Sequence, residues 1–156
     1  MSEADAEMLR HAAPLHDIGK IGIPDAILNK PGIHTPDETI IMRTHAVIGQ
    51  EMLLQSKRGI FVMAAEIAAT HHENWDGSGY PNGLKGDAIP LAGRITMLAD
   101  VYDALGSKRC YKEPWQTETI QGFIKEQSGI KFDPNLVELL MTHWDQAEQV
   151  RERLPD

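Results

Sequence analysis

Six side chains able to ligate a metal or move a proton stand out along the chain: His16, Asp17, His45, His71, His72 and Asp100. Imidazoles and carboxylates without thiolates suit iron or manganese, with zinc and nickel also open. The set exceeds what one four-coordinate ion needs, and a carboxylate can bridge two ions. Two ions about 3.5–4 Å apart clamp a phosphoryl group and generate hydroxide between them. The residues themselves therefore point to a dinuclear phosphohydrolase.

Each candidate also has a plainer reading. Adjacent residues on a regular helix point about 100° apart, so His71 and His72 rarely serve one ligand sphere in mid-helix. They precede Gly77, Gly79 and Pro81, which break helices, and at a last helical turn both rings can face one centre. The alternative is two imidazoles meeting the negative pole of a helix. His16-Asp17 lies between Leu15 and Ile18, a setting that expects burial, and a buried carboxylate needs a cation. His45 falls on an apolar stripe with Ile41, Ile48 and Met52; the competing reading is a core histidine bonded to a carbonyl. Asp100 and Asp103 lie one turn apart among Ile95, Leu98, Ala99, Val101 and Ala104. Asp100 reads as a ligand or buried partner, and Asp103 is ambiguous.

The chain around these groups reads as helical. Helices are expected over about 4–17 (limited by Pro14), 25–29, 35–55, 60–72, 91–105, 117–127 and from Asp133-Pro134 to near Arg151. Thr35-Pro36-Asp37-Glu38 is a capping box with proline at the first helical position. A Gly- and Pro-rich loop spans about 73–90, and no alternating strand pattern occurs. The fold class is all-α, a helical bundle with a long Gly/Pro-rich loop.

The 156 residues are 42% hydrophobic, which fits one domain over 1–156. A formal net charge of −8 argues against a broad grip on DNA or RNA. No apolar run is long enough for a membrane span, and the acidic start lacks a signal core. Cys110 is the only cysteine, which excludes an internal disulfide and argues against a thiolate site. A reducing cytoplasm is the expected location.

Two long motifs carry a resemblance: His16-Asp17-Ile18-Gly19-Lys20-Ile21-Gly22-Ile23-Pro24 and Asp76-Gly77-Ser78-Gly79-Tyr80-Pro81. With His45, His71-His72, Arg94-Ile95, Ala99-Asp100-Val101-Tyr102-Asp103-Ala104-Leu105 and Phe132-Asp133-Pro134, the chain resembles the HD-GYP domain of the HD phosphohydrolase superfamily over nearly its whole length. The resemblance implies a bacterial signalling phosphodiesterase that hydrolyses cyclic di-GMP to the linear dinucleotide or GMP. It implies that Asp17 bridges two divalent metals, one held by His45, His71 and His72, the other by His16 and Asp100. Lys20 would sit beside the bridging hydroxide and stabilise charge on the phosphate. Arg109 and Lys112 would hold the substrate's phosphate or guanine edge, the plainer reading being a solvated basic turn. Gly79, Tyr80 and Pro81 would shape the substrate-side loop, which the family also links to partners carrying diguanylate cyclase domains.

Family members usually begin with a further helix that supplies another metal-binding histidine, and the residues before His16 are too few to hold it. His11, five positions earlier, is poorly spaced to substitute. One metal site is therefore expected to lack a ligand, and exposed bundle surface would favour a homo-oligomer or a partner. The alternative function is a degenerate module that binds a cyclic dinucleotide or a signalling partner without turnover. His34 reads as a loop residue, His143 and Trp144 as packing or capping groups, Cys110 as packing, and Trp75 as loop lining, partner anchor or packing.

Overall fold

The computed structural model describes residues 1–107 and 113–153. Ser2 starts α1 (Glu3–Ala12) with a capping box closed by Asp5. Pro14 then opens a 3-10 helix, Ala13–Leu15, so the first helix ends earlier than its apolar pattern suggested. A second 3-10 helix, Ile18–Gly22, follows directly after Asp17. After α2 (Asp25–Leu28), the expected capping box appears at Thr35 and Glu38 and starts α3 (Pro36–Arg43).

The long helix expected over 35–55 is in fact two. Thr44 separates α3 from α4 (His45–Leu53), and its hydroxyl donates back to the Ile41 carbonyl, competing with the helical ladder. The supposed stripe is correspondingly wrong. Ile41 and Met52 are exposed, whereas His45 is buried; the new helix, not a shared face with Ile41, turns its ring inward.

Next comes α5 (Gly59–Thr70), whose Ala64, Ala65, Ile67 and Ala68 are buried. Its small side chains let neighbours pack closely: α1, α4 and α6 (Leu91–Gly106) all contact it. Leu9, Ala12, Leu53 and Ala92 complete this core. Between α5 and α6 runs the Gly- and Pro-rich loop, which contains the 3-10 helix Gly86–Ala88 and a cis Tyr80–Pro81 peptide.

The C-terminal helices are α7 (Thr117–Glu126), α8 (Pro134–Thr142) and α9 (Trp144–Arg153). Asp133 caps α8 as expected, but the single last helix breaks at His143. Trp144 is buried there and meets Tyr102 edge-on, with ring centroids 5.3 Å apart. Ile120, Ile124, Phe132 and Val137 pack with them into a second core. No strand occurs among the described residues; a lone bridge joins Ser128 and Phe132. The architecture is all-α.

Candidate active site

Close backbone approach assembles the site. Gly19 lies against α4 so tightly that a Cβ there would stand 2.0 Å from the His45 carbonyl oxygen and 2.4 Å from the Gly49 nitrogen. This contact holds the Asp17–Lys20 turn over the start of α4. On the other side, Thr70 and Gly93 bring α5 to α6, with a Gly93 Cβ placed 2.1 Å from Thr70 Oγ1.

Asp17, His45, His71 and His72 each offer a ligand atom, and these atoms lie within 4.8 Å of one another. His45 Nδ1 donates to the Met42 carbonyl at 2.7 Å, His71 Nδ1 to Ile67 and Ala68, and His16 Nδ1 to Ala13 at 2.9 Å. These bonds occupy each Nδ1 and turn each Nε2 toward Asp17, the arrangement typical of metal-ligating histidine.

Asp17 sits between two groups of partners. Its Oδ1 faces His45 Nε2 at 3.4 Å and His71 Nε2 at 3.7 Å. Its Oδ2 faces Lys20 Nζ at 2.5 Å and His16 Nε2 at 3.3 Å. The Oδ1 contacts are electrostatic rather than hydrogen bonds, so Asp17 Oδ1 and His71 Nε2 remain buried without a partner. Asp100 Oδ1 stands 3.9 Å from His16 Nε2. Asp103, by contrast, is exposed and accepts a bond from Ser107 at 3.4 Å.

Electrostatics follow from this packing. Burial alone would push the Asp17 carboxyl up, but the facing His16, His71 and Lys20 outweigh it and hold it far below the usual range. The same carboxylate raises His16. Burial lowers His45; burial, with His71 and His45 alongside, lowers His72 to about 2. His45 and His72 Nε2 atoms are 3.2 Å apart. Two neutral imidazole nitrogens so close suit a shared cation between them.

The loop closes over this cluster. Tyr80 stacks on His72 at 4.7 Å between centroids and 24° between planes, and a Cβ on Gly79 would lie 2.2 Å from the Asn74 nitrogen. The residue that pins the loop is one the sequence did not single out: Glu73, 2% exposed, accepts from the Asn82 nitrogen at 2.7 Å and the Leu84 nitrogen at 3.0 Å. Trp75 is tied into the fold, donating its backbone N–H to Lys131 at 3.1 Å beneath the Arg94 guanidinium. His34 bonds the Ile27 carbonyl at 2.9 Å. His11 is exposed and bonds Glu7 at 3.0 Å. Arg109, Cys110 and Lys112 lie outside the described residues.

The HD domain family profile matches residues 1–136. A 3'3'-cGAMP-specific phosphodiesterase of Vibrio cholerae is 54% identical over 100% of this chain and 30% of its own length. The cyclic di-GMP phosphodiesterase response regulator RpfG of Xanthomonas campestris is 47% identical over 96% of this chain and 40% of its own. A cyclic di-GMP phosphodiesterase of Thermotoga maritima is 51% identical over 90% and 38%. The chain thus spans 30% to 40% of the length of these relatives. The crystal structure of a Vibrio cholerae cyclic GMP-AMP specific phosphodiesterase shares the fold, with a TM-score of 0.67 at 22% identity over 100% of this chain and 45% of that one. With a histidine-aspartate pair at the centre of its helical bundle and a matching profile over most of its length, the chain belongs to the HD domain family.

Proposed function

We propose that this chain is an HD-GYP phosphodiesterase domain that opens cyclic di-GMP, or a related cyclic dinucleotide, to the linear dinucleotide or the mononucleotide. The observation that carries this reading is the two-sided placement of Asp17, one oxygen toward His45 and His71, the other toward His16 and Lys20. A carboxylate so placed suits a bridge between two cations. His45, His71 and His72 would complete one site, and His16 and Asp100 would serve the other. The buried, unpartnered Asp17 Oδ1 and His71 Nε2 fit that donor set, and its nitrogen and oxygen chemistry favours iron or manganese, with zinc and nickel compatible. The named substrates of the relatives support the choice of cyclic dinucleotide.

When bound, such ions would polarise phosphoryl oxygens and lower the pKa of water toward neutrality. The chain's own groups supply the rest. The backbone-anchored imidazoles keep their lone pairs aimed inward, so little reorganisation is needed. Lys20 holds a positive charge against Asp17, where it can stabilise charge building on the phosphate. Arg109 and Lys112 would grip a phosphate or guanine edge. Gly79, Tyr80 and Pro81 would shape the substrate side of the site and offer a surface to partners carrying diguanylate cyclase domains.

The test pairs elemental analysis of anaerobically purified protein with cyclic di-GMP turnover on the same sample. Two metals per chain with turnover is the expected result. No turnover after iron or manganese is supplied would refute the catalytic reading for this chain.

A further inference from the structure

The cations near the site are differently committed. Lys20 is held by Asp17 at 2.5 Å. Arg94 is held by Asp133 at 2.7 Å and Asp87 at 3.0 Å. Arg43, in the last turn of α3, is exposed and pairs with no carboxylate among the described residues. Its guanidinium lies instead over the Tyr80 ring, 4.7 Å from the centroid. Tyr80 in turn stacks on His72. Tyr80 therefore touches both His72 of the Asp17 cluster and the exposed Arg43.

Stacking uses the flat face of a guanidinium and leaves its in-plane N–H donors free. Tyr80 thus holds beside the cluster a guanidinium that pairs with no carboxylate among the described residues. A cyclic dinucleotide carries two phosphodiester anions, and the cluster with Lys20 can engage only the one being cut. The other must approach a chain whose formal net charge is −8, which disfavours a dianion unless local cations receive it; with Arg109 and Lys112 taken up by a guanine edge, Arg43 is the cation beside the loop left to do so. Resting on the function proposed above, we infer that Arg43 is a specificity-determining residue. Its Tyr80-braced guanidinium receives the phosphodiester that is not cleaved and selects dinucleotides over substrates with a single phosphodiester.

The test compares the parent with Arg43→Ala and Arg43→Lys on cyclic di-GMP and on bis(p-nitrophenyl) phosphate, which has one phosphodiester. A charged hydrogen bond lost to Arg43→Ala raises KM for cyclic di-GMP about tenfold to a hundredfold. The rise for the small ester is much smaller, and Arg43→Lys recovers part of the loss because it keeps charge without the flat fork. An unchanged KM on cyclic di-GMP overturns the inference. So does an equal rise on both substrates, since Arg43 would then act on the cleavage centre through Tyr80 and His72. Were the parent itself inert toward cyclic di-GMP, the proposed function would fall, and equilibrium binding of cyclic di-GMP to parent and Arg43→Ala would judge Arg43 alone. Weaker binding by the variant supports the arm; equal binding, or none to either, overturns it.

Discussion

Gly19 touches the backbone of His45: an added Cβ would stand 2.0 Å from the His45 carbonyl oxygen. Each side of this contact carries part of the site: Asp17 and Lys20 before and after Gly19 on one side, the His45 ring on the other. Backbone cannot swing aside as a flexible side chain can. Gly19→Ala must therefore push the Ile18–Gly22 turn off α4, at a cost of about 1–3 kcal/mol, as for other overpacked interiors. In a domain of this size that corresponds to a fall in Tm of roughly 2–4 °C per kcal/mol. Metal content should fall with it, because Asp17 moves away from His45. A variant with unchanged Tm and full metal content would show that the contact positions nothing.

Asp17 is the residue on which the dinuclear proposal turns. Asp17→Asn keeps size and shape but removes the negative charge that faces His45, His71, His16 and Lys20. The expected outcome is loss of both metals in elemental analysis, with the helical circular dichroism signal retained. Two ions still bound per variant chain would refute the bridging role.

Much of this site is legible in the sequence because its signals are local. His16-Asp17 flanked by apolar residues, the His71-His72 doublet before glycines, and the Thr35–Glu38 capping box each occupy a few consecutive positions; the capping box forms as expected, Asp17, His71 and His72 come together with His45, and His16 and Asp17 are half-buried rather than buried. The break at Thr44 was not legible. Threonine is tolerated within helices, and only its bond to Ile41 reveals the interruption. Arg43 and Glu73 were missed for a related reason. A charged side chain normally signals a solvated face, and their partners, Tyr80 for one and the Asn82 and Leu84 nitrogens for the other, lie across the loop.

Glu73 offers a direct measure of how the loop is held. Its carboxylate is buried and accepts two backbone N–H groups. Glu73→Gln retains one carbonyl oxygen but turns an amide N–H₂ toward a backbone donor. Leaving a buried donor without a partner costs about 1–3 kcal/mol. The loss should be local: faster amide hydrogen exchange at Asn82 and Leu84, with protection in α5 little altered. Because Tyr80 rests on His72, the ring's contact should loosen as well. Unchanged exchange at both amides would show that the loop is held by other contacts.

Arg94 of α6 and Asp133 at the start of α8 form a buried link between α6 and the C-terminal helices. Their side chains are 15% and 3% exposed and meet at 2.7 Å, while Asp133 also caps α8 through the Asn135 nitrogen. Removing one charge strands the other, and breaking a buried pair in this way costs about 3–5 kcal/mol. Arg94→Met should therefore be strongly destabilising in urea unfolding. Asp133→Asn keeps an oxygen for the α8 cap, so adding it to Arg94→Met removes the stranded charge without removing the cap. The double variant should be more stable than Arg94→Met alone, a coupling that only a direct interaction produces. Additive losses would mean that Arg94 acts through its packing over Trp75 rather than through the ion pair.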